Sequence, residues 1–287
     1  MHDSRSKFSI QSLDKKTFPN LIVHGTNFLK SHNLTNCKNE IKWFLEHLLQ
    51  CNKTNLYSNI LINPKDYNRI NNFLNQRVKG IPFQQLINKA SFYGRDFIIN
   101  TDVLIPRPET EVLIDLIKHN KYNKMLDIGT GSGIIAITAN LENIASSIDA
   151  IDIDPKALKV AKKNQVKLQA SKVNFFKMDI LKMIPEAKYD IIVSNPPYVS
   201  LPEYNQLDVM VKDYEPIQAL TDFKDGLTFY KRYAIILKEI LNENGVAFFE
   251  LSHMFNKEDL KKIFINFQNI KFYNDLNEDC RFIKITS

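Results

Sequence analysis

The sequence predicts an α/β protein, a doubly wound parallel sheet with a small helical domain before it and a β-hairpin joining the two. Three observations lead there. Up to about residue 80 the apolar residues recur at helical spacing, and after residue 108 short apolar runs alternate with helical stretches. Three of the eight glycines, Gly129, Gly131 and Gly133, fall within five residues immediately after one of those runs. The length agrees, since 287 residues allow about two domains at roughly 150 residues each.

Taken in order, residues 17–80 read as helices. Thr35 precedes Ile41, Leu45, Leu48 and Leu49 at helical spacing, and Asn63-Pro64 is an N-cap followed by a proline at the first helical position. Ile70, Leu74 and Val78 share one face before Gly80 ends it. Over 81–105 the pattern changes: Phe92-Tyr93-Gly94-Arg95 and Phe97-Ile98-Ile99 set aromatic and β-branched residues about a turn, as a hairpin linker would. The expected domains are therefore 1–80, helical and available for docking a substrate; 81–105, the linker; and 106–287, the sheet domain. Within the last, strands are expected at Lys124–Ile128, Ser147–Ile153, Val173–Phe176, Tyr189–Ser194 and Gly245–Leu251. Helices are expected at Ile134–Leu141 and Pro155–Gln169, the second capped by Asp154. Sheets of this kind bind ligands at the carboxyl ends of their strands, so the residues just after each run are the candidates for chemistry.

Composition excludes several classes. With 44% hydrophobic, 11% aromatic and 24% charged residues the chain is not disordered. No stretch reaches the roughly 18 apolar residues of a membrane helix, and the opening MHDSRSKFSIQSLDKK is polar where a signal peptide is apolar, so a cytoplasmic protein without membrane association is expected. Cys37, Cys51 and Cys280 form no CxxC pair, which supports neither a zinc site nor a disulfide framework; plain thiols and no metal are expected. The net charge of +6 is compatible with a nucleic-acid partner, but is equally usual in a chain rich in Lys and Asn. No stable nucleic-acid complex is expected.

The first chemical motif is Asp127-Ile128-Gly129-Thr130-Gly131-Ser132-Gly133, a strand end, a glycine loop and a helix start. Glycines let the backbone turn sharply and approach a ligand where a β-carbon would stand. A phosphate-binding loop is written GxGxxG; this GxGxG spacing, with an acid two residues ahead, favours a nucleoside without phosphates. Nineteen residues beyond Gly133, Asp152 ends the next strand, where a carboxylate can accept hydrogen bonds from both ribose hydroxyls. Asp179 and Ile180 follow the third strand, a polar group and an apolar neighbour suited to an adenine.

The second motif, Asn195-Pro196-Pro197-Tyr198, follows the fourth strand. Adjacent prolines lock φ and remove two N–H donors, leaving carbonyls of fixed direction beside an Asn oxygen, so the site is built to accept two hydrogen bonds from an –NH₂ group. Fixing both hydrogens on the Asn195 oxygen and the Pro196 carbonyl orients a nitrogen whose lone pair is delocalised, and Tyr198 can stack on a planar acceptor. The third motif, Pro106-Arg107-Pro108-Glu109-Thr110-Glu111, has a structural reason for its acids, which suit the first turn of a helix, and none for Arg107.

Three acids after three successive strands, with the glycine loop, resemble the class I S-adenosylmethionine-dependent methyltransferases, whose sheet is Rossmann-like. The Pro-Arg-Pro-Glu-Thr-Glu string, Asn-Pro-Pro-Tyr, and downstream Tyr214-Glu215-Pro216, Ala219-Leu220 and Asp225-Gly226-Leu227 resemble more narrowly the HemK-type N5-glutamine methyltransferases of peptide chain release factors, over residues 80–251. The resemblance implies S-adenosylmethionine as methyl donor, S-adenosylhomocysteine as product, and the glutamine of the Gly-Gly-Gln loop of class 1 release factors as acceptor; a monomer is expected. It implies that Asp127, Gly129, Thr130, Gly131, Ser132, Gly133, Asp152, Asp179, Ile180 and Asn195 bind the cofactor, that Asn195, Pro196, Pro197 and Tyr198 are catalytic, and that these four with Arg107, Glu109 and Glu111 bind substrate. Enzymes acting on a ribosomal-protein glutamine resemble the chain too, but typically carry Pro-Arg-Ser-Pro. Two departures stand out: Phe223-Lys224 occupies a position usually glycine before Asp225, and Glu250-Leu251-Ser252 replaces Glu-x-Gly. Adenine-N6 methyltransferases share Asn-Pro-Pro-Tyr but need a basic target-recognition region, whereas the helical domain mixes Glu40, Glu46 and Asp66 with its lysines. A non-catalytic adaptor of the same fold would have no need to keep Asn195 or the three acids.

Overall fold

The structure, a computed structural model, describes residues 7–49 and 53–287. Cys51 lies outside them; Cys37 and Cys280 are free thiols. The chain divides into two compact units, one ending at Asn88 and one spanning Lys89–Ser287. Among the described residues no helix is long and apolar enough to cross a membrane.

The first unit is helical: Phe18–Lys30, Cys37–Leu49 and Tyr67–Arg77, with 3₁₀ turns at Lys53–Tyr57 and Pro64–Asp66. Asn63 caps as its sequence suggests, its side chain accepting from the Lys65 amide, but the turn it opens is 3₁₀ and the α-helix begins only at Tyr67. Leu21, Leu29, Ile41, Leu45, Ile70 and Leu74 form the core, and Phe44 stacks on Phe73 with ring centroids 3.8 Å apart. Gly25 lets two helices touch, since a β-carbon there would come within 2.9 Å of Ile41 Cδ1. Arg77 and Glu40 are buried as a bidentate pair at 2.8 and 3.1 Å; losing one partner would strand a charge in the core.

The second unit opens with the hairpin, β1 (Lys89–Phe92) and β2 (Arg95–Ile98). Its two-residue turn, Tyr93-Gly94, has φ of 49° and 71°, the left-handed pair that matches strand twist. The hairpin packs as part of this unit. Asn164 pairs with both backbone groups of Ile98, and the Glu111 carboxylate accepts from the Tyr93 amide at 2.7 Å.

The main sheet has seven strands, β3 (Tyr122–Ile128), β4 (Ala145–Asp152), β5 (Val173–Lys177), β6 (Tyr189–Ser194), β7 (Leu241–Glu250), β8 (Asn269–Asn274) and β9 (Cys280–Thr286), in the order β5-β4-β3-β6-β7-β9-β8. The first five in that order are parallel, as the apolar runs predict, and the helices Ile134–Leu141 and Pro155–Leu168 lie between them in sequence. The sheet is not parallel throughout: β9 runs antiparallel to both β7 and β8. These last two strands carry charged and amide residues among their apolar ones and so lack the continuous apolar run of a strand covered on both faces. The strand order reverses between β3 and β6. At such a switch point the crossovers leave in opposite directions and open a crevice at the carboxyl ends, which here are Ile128 and Ser194.

Candidate active site

The glycine loop leaves β3 at Ile128 and closes on its neighbour strand, with the Gly129 and Thr130 amides both bonded to the Ile151 carbonyl. Its glycines serve two purposes. Gly131 has φ of 55° and a β-carbon there would meet nothing within 4 Å, so its open side faces the crevice. Gly133, at φ 83°, is hemmed in: a β-carbon would lie 2.9 Å from Ile137 and 3.2 Å from Ala161, and this glycine serves helix packing. Asp127 is completely buried beneath the loop. One carboxylate oxygen accepts from the Thr130 hydroxyl at 2.6 Å and the Ala136 amide at 3.2 Å, while the other has no partner. Burial pushes its carboxyl up to about 7, against the pull of those donors.

Asp152, at the end of β4, has its two oxygens on the Gly131 amide at 2.8 Å and the Asp154 amide at 2.9 Å. With about four lone-pair sites the carboxylate keeps acceptor capacity beyond these backbone donors, and burial raises the carboxyl above the ordinary range. Asp179 accepts from the Leu181 amide, and the Ile180 carbonyl is pinned by Arg232 Nε at 2.8 Å. A cavity in the crevice is lined by Gly129, Gly131, Asp152, Ile153, Asp179, Ile180, Asn195 and Phe229 among others. Thr130, Ser132 and Asp127 are buried and do not line it; they hold the loop from behind, Ser132 through its carbonyl on Asn164.

Beyond β6, Ser194 ties the strand end down, its hydroxyl on the Ile128 carbonyl at 2.8 Å and against the Tyr233 hydroxyl at 2.9 Å. Asn195 follows and turns its amide nitrogen to the Thr110 hydroxyl at 3.3 Å. A second cavity, lined by Arg107, Tyr198, Leu207, His253 and Arg281, shares Leu104, Asn195, Pro196 and Ala219 with the first. Asn195 and Pro196 thus stand where two chambers meet. The Tyr198 hydroxyl points to Glu250 at 3.4 Å, and burial next to that carboxylate pushes the phenol up.

The third motif is spread over several tasks. Arg107 pairs with Glu215 at 2.7 Å, and the other Glu215 oxygen accepts from the Ile105 amide at 3.1 Å, so Tyr214-Glu215-Pro216 braces the Pro-Arg-Pro string. Glu109 is half-buried and close enough to Glu250 to raise its carboxyl. Glu111 reaches neither cavity, because its carboxylate is engaged by the hairpin. Thr110, by contrast, is fully buried and donates to Glu250 at 2.7 Å. Burial raises the Glu250 carboxyl to about 7.

Thr110, Glu215 and Glu250 stand within strings that the resemblance singles out, but the sequence gives none of them a role at the site, and Tyr233 carries no motif signal at all. At one departure Phe223 adopts φ of 61°, a region that costs an ordinary residue and suits glycine.

Chain composition at the crevice fits an adenosyl sulfonium: an open glycine cradle, a carboxylate with lone pairs to spare, apolar walls and an unpartnered buried acid oxygen beneath. The fold and site define the class of S-adenosylmethionine-dependent methyltransferases. Residues 108–212 match the methyltransferase small domain and residues 20–87 the PrmC N-terminal domain. The chain is 45% identical over 185 residues to a release factor glutamine methyltransferase of Bacillus subtilis, covering 60% of this chain and 63% of that one. To the protein of the same description from Fusobacterium nucleatum it is 36% identical over 247 residues, 83% of this chain and 70% of that one. Its fold is similar to the crystal structure of a methyltransferase from Pyrococcus furiosus, with a TM-score of 0.53 at 21% identity, over 74% of this chain and 97% of that one. The chain belongs to the release factor glutamine methyltransferase family.

Proposed function

We propose that the chain methylates the side-chain amide nitrogen, N5, of the glutamine in the Gly-Gly-Gln loop of class 1 peptide chain release factors. The observation that carries this reading is the position of Asn195 and Pro196, which line both chambers and so offer two acceptors at their junction. Gly129, Gly131, Asp152, Asp179 and Ile180 hold the cofactor, with Asp127, Thr130, Ser132 and Gly133 shaping the loop behind them. Bound S-adenosylmethionine supplies a methyl group already activated on sulfur.

The rest is positioning by this chain's own groups. A glutamine amide nitrogen is a poor nucleophile because its lone pair is delocalised into the carbonyl. Asn195 Oδ1 and the Pro196 carbonyl accept its two hydrogens, which fixes the nitrogen and favours its pyramidal form, while the rigid Pro196-Pro197 backbone keeps the two acceptors from drifting. Tyr198 flanks the planar group, and Arg107 in the outer chamber contacts the loop that carries it. Glycines beside the target glutamine suit a narrow slot at Pro196 and Pro197. A lone side chain on a mobile loop offers little surface, so selection of one protein calls for a second contact, and the helical unit is the available docking surface for the body of the factor.

Mass spectrometry of a class 1 release factor after incubation with labelled cofactor tests the proposal. The expected result is one methyl on the Gly-Gly-Gln glutamine; label on ribosomal protein or on adenine in nucleic acid, with none on the factor, would overturn it.

A further inference from the structure

The side-chain amide of an Asn can present either its oxygen or its NH₂ to a given point, and only one of these serves an acceptor role at Asn195. Something must choose between them. We propose that Glu250, acting through the Thr110 hydroxyl, fixes the orientation of the Asn195 amide so that its oxygen is the atom offered to the substrate. Thr110 and Glu250 are positioning residues here, and the inference rests on the reading of Asn195 given above.

Three elements bring the groups together. Asn195 follows β6, Glu250 ends β7, and Ser194 is in register with Phe249, so the two residues leave adjacent strand ends side by side. Thr110 arrives from the turn after Arg107, in which Pro108 is the first residue. Thr110 is fully buried and Glu250 nearly so. Thr110 has a single hydroxyl proton and donates it to Glu250 Oε2 at 2.7 Å. A carboxylate only accepts, so that proton is committed, and the Thr110 oxygen has nothing but lone pairs left for Asn195. The Asn195 NH₂ therefore turns toward it, at 3.3 Å, and Oδ1 is carried to the opposite side of the amide. With the amide reversed, Oδ1 would face the Thr110 oxygen, two acceptors in contact in a buried setting with no proton between them. A merely structural pair would need the hydroxyl and the acid but would have no reason to point at Asn195.

The test is single-turnover methyl transfer to intact release factor, with cofactor affinity and factor KM measured on the same variants. Thr110→Val keeps the shape and removes both hydrogen bonds. It is expected to slow transfer by about tenfold or more while cofactor affinity and KM stay within about threefold, and Thr110→Ser, which keeps the hydroxyl, is expected to retain the rate within about threefold. Glu250→Gln can donate to Thr110 and release its proton toward Asn195, so it is expected to behave like Thr110→Val. Wild-type rates in Thr110→Val, or losses shared equally by rate and cofactor affinity, overturn the inference. If Thr110→Val does not fold, Glu250→Gln at about pH 8 carries the test on its own, and a wild-type rate there overturns it. Asn195→Ala is the control that separates the two levels: an inactive Asn195→Ala beside an unaffected Thr110→Val removes the positioning role and leaves the acceptor model standing. An active Asn195→Ala removes both.

Discussion

Gly226 lies so close beneath the backbone of Tyr198 that a β-carbon on it would overlap the Tyr198 carbonyl oxygen. Its φ of 80° and the three amides that Asp222 collects, from Lys224, Gly226 and Thr228, hold this turn against the segment after Pro197. Asp225-Gly226-Leu227 is thus a buttress for Asn195-Pro196-Pro197-Tyr198. Gly226→Ala is expected to displace that segment and to lower methyl transfer by about tenfold or more, while cofactor affinity stays within a few-fold because the glycine loop is remote in sequence and separately anchored. Single-turnover rates set beside calorimetry decide the matter; parallel losses would show that the turn supports both chambers alike.

Asp152 is held on two backbone amides, from the glycine loop and from the following helix cap, so its carboxylate is fixed before any ligand arrives. Asp152→Ala should weaken cofactor binding by at least about tenfold, in keeping with the 1.5–3 kcal/mol of a hydrogen bond to a charged group. Calorimetric titration with S-adenosylmethionine checks this, and an unchanged dissociation constant would remove Asp152 from the cofactor site.

For Asn195 the split is reversed. On the proposed reading Asn195→Ala takes away one of two acceptors for the substrate amide, and turnover should fall by about 10² or more with cofactor affinity within a few-fold. Near-normal transfer in a single turnover would mean that the Pro196 carbonyl suffices.

Asp127 makes a prediction about stability. Its carboxyl titrates near neutrality because it is buried, whereas in the unfolded chain it titrates in the ordinary carboxylate range, so the folded state holds a proton there that the unfolded state has already lost. Stability from this group is therefore greatest in acid, falls as pH rises between the two titrations and levels off above about pH 7. Asp127→Asn should lessen the drop in melting temperature between about pH 5 and pH 8. An identical drop in both proteins would show that some other group is responsible.

Local sequence carries most of the sheet and the two motifs at its switch point. Gly129, Gly131, Asp152 and Asn195–Pro197 are legible as crevice residues because they stand at or just after an apolar run, where position in the chain implies position in the crevice, whereas Thr130, Ser132 and Gly133 of the same loop turn inward. Glu215, Tyr233 and the Thr110–Glu250 contact are not, since Glu215 and Ile105 are 110 residues apart and Thr110 and Glu250 are 140 apart, and only the strand order brings them together. Glu111 looks like its neighbours in the motif, yet folding assigns it to the hairpin, because the Tyr93 amide in the turn needs an acceptor. The antiparallel strands β8 and β9 were beyond reach for a different reason: their mixed polarity carries no signal of full burial.

The pH dependence of catalysis follows from Glu250. Its neighbours are the Thr110 and Tyr198 hydroxyls at its carboxylate and the Tyr230 hydroxyl on its backbone carbonyl, with Glu109 raising its titration and Arg281 lowering it; burial outweighs the rest and brings the carboxyl up to about 7. Only the ionised form commits the Thr110 proton. When Glu250 gains a proton it can donate to Thr110 instead, the Thr110 hydroxyl is released, and Asn195 loses its reason to keep Oδ1 toward the substrate. The deprotonated form is thus the faster one, and the rate should rise with pH through about 7 and then level off, from an acid plateau about tenfold lower that matches the Glu250→Gln rate. Glu250→Gln should be slow and flat over the same range, since nothing remains there to titrate. A wild-type profile that is already flat between about pH 5.5 and 8 would show that Glu250 ionisation does not control the rate, and a Glu250→Gln enzyme that keeps the acid limb would place the titrating group elsewhere.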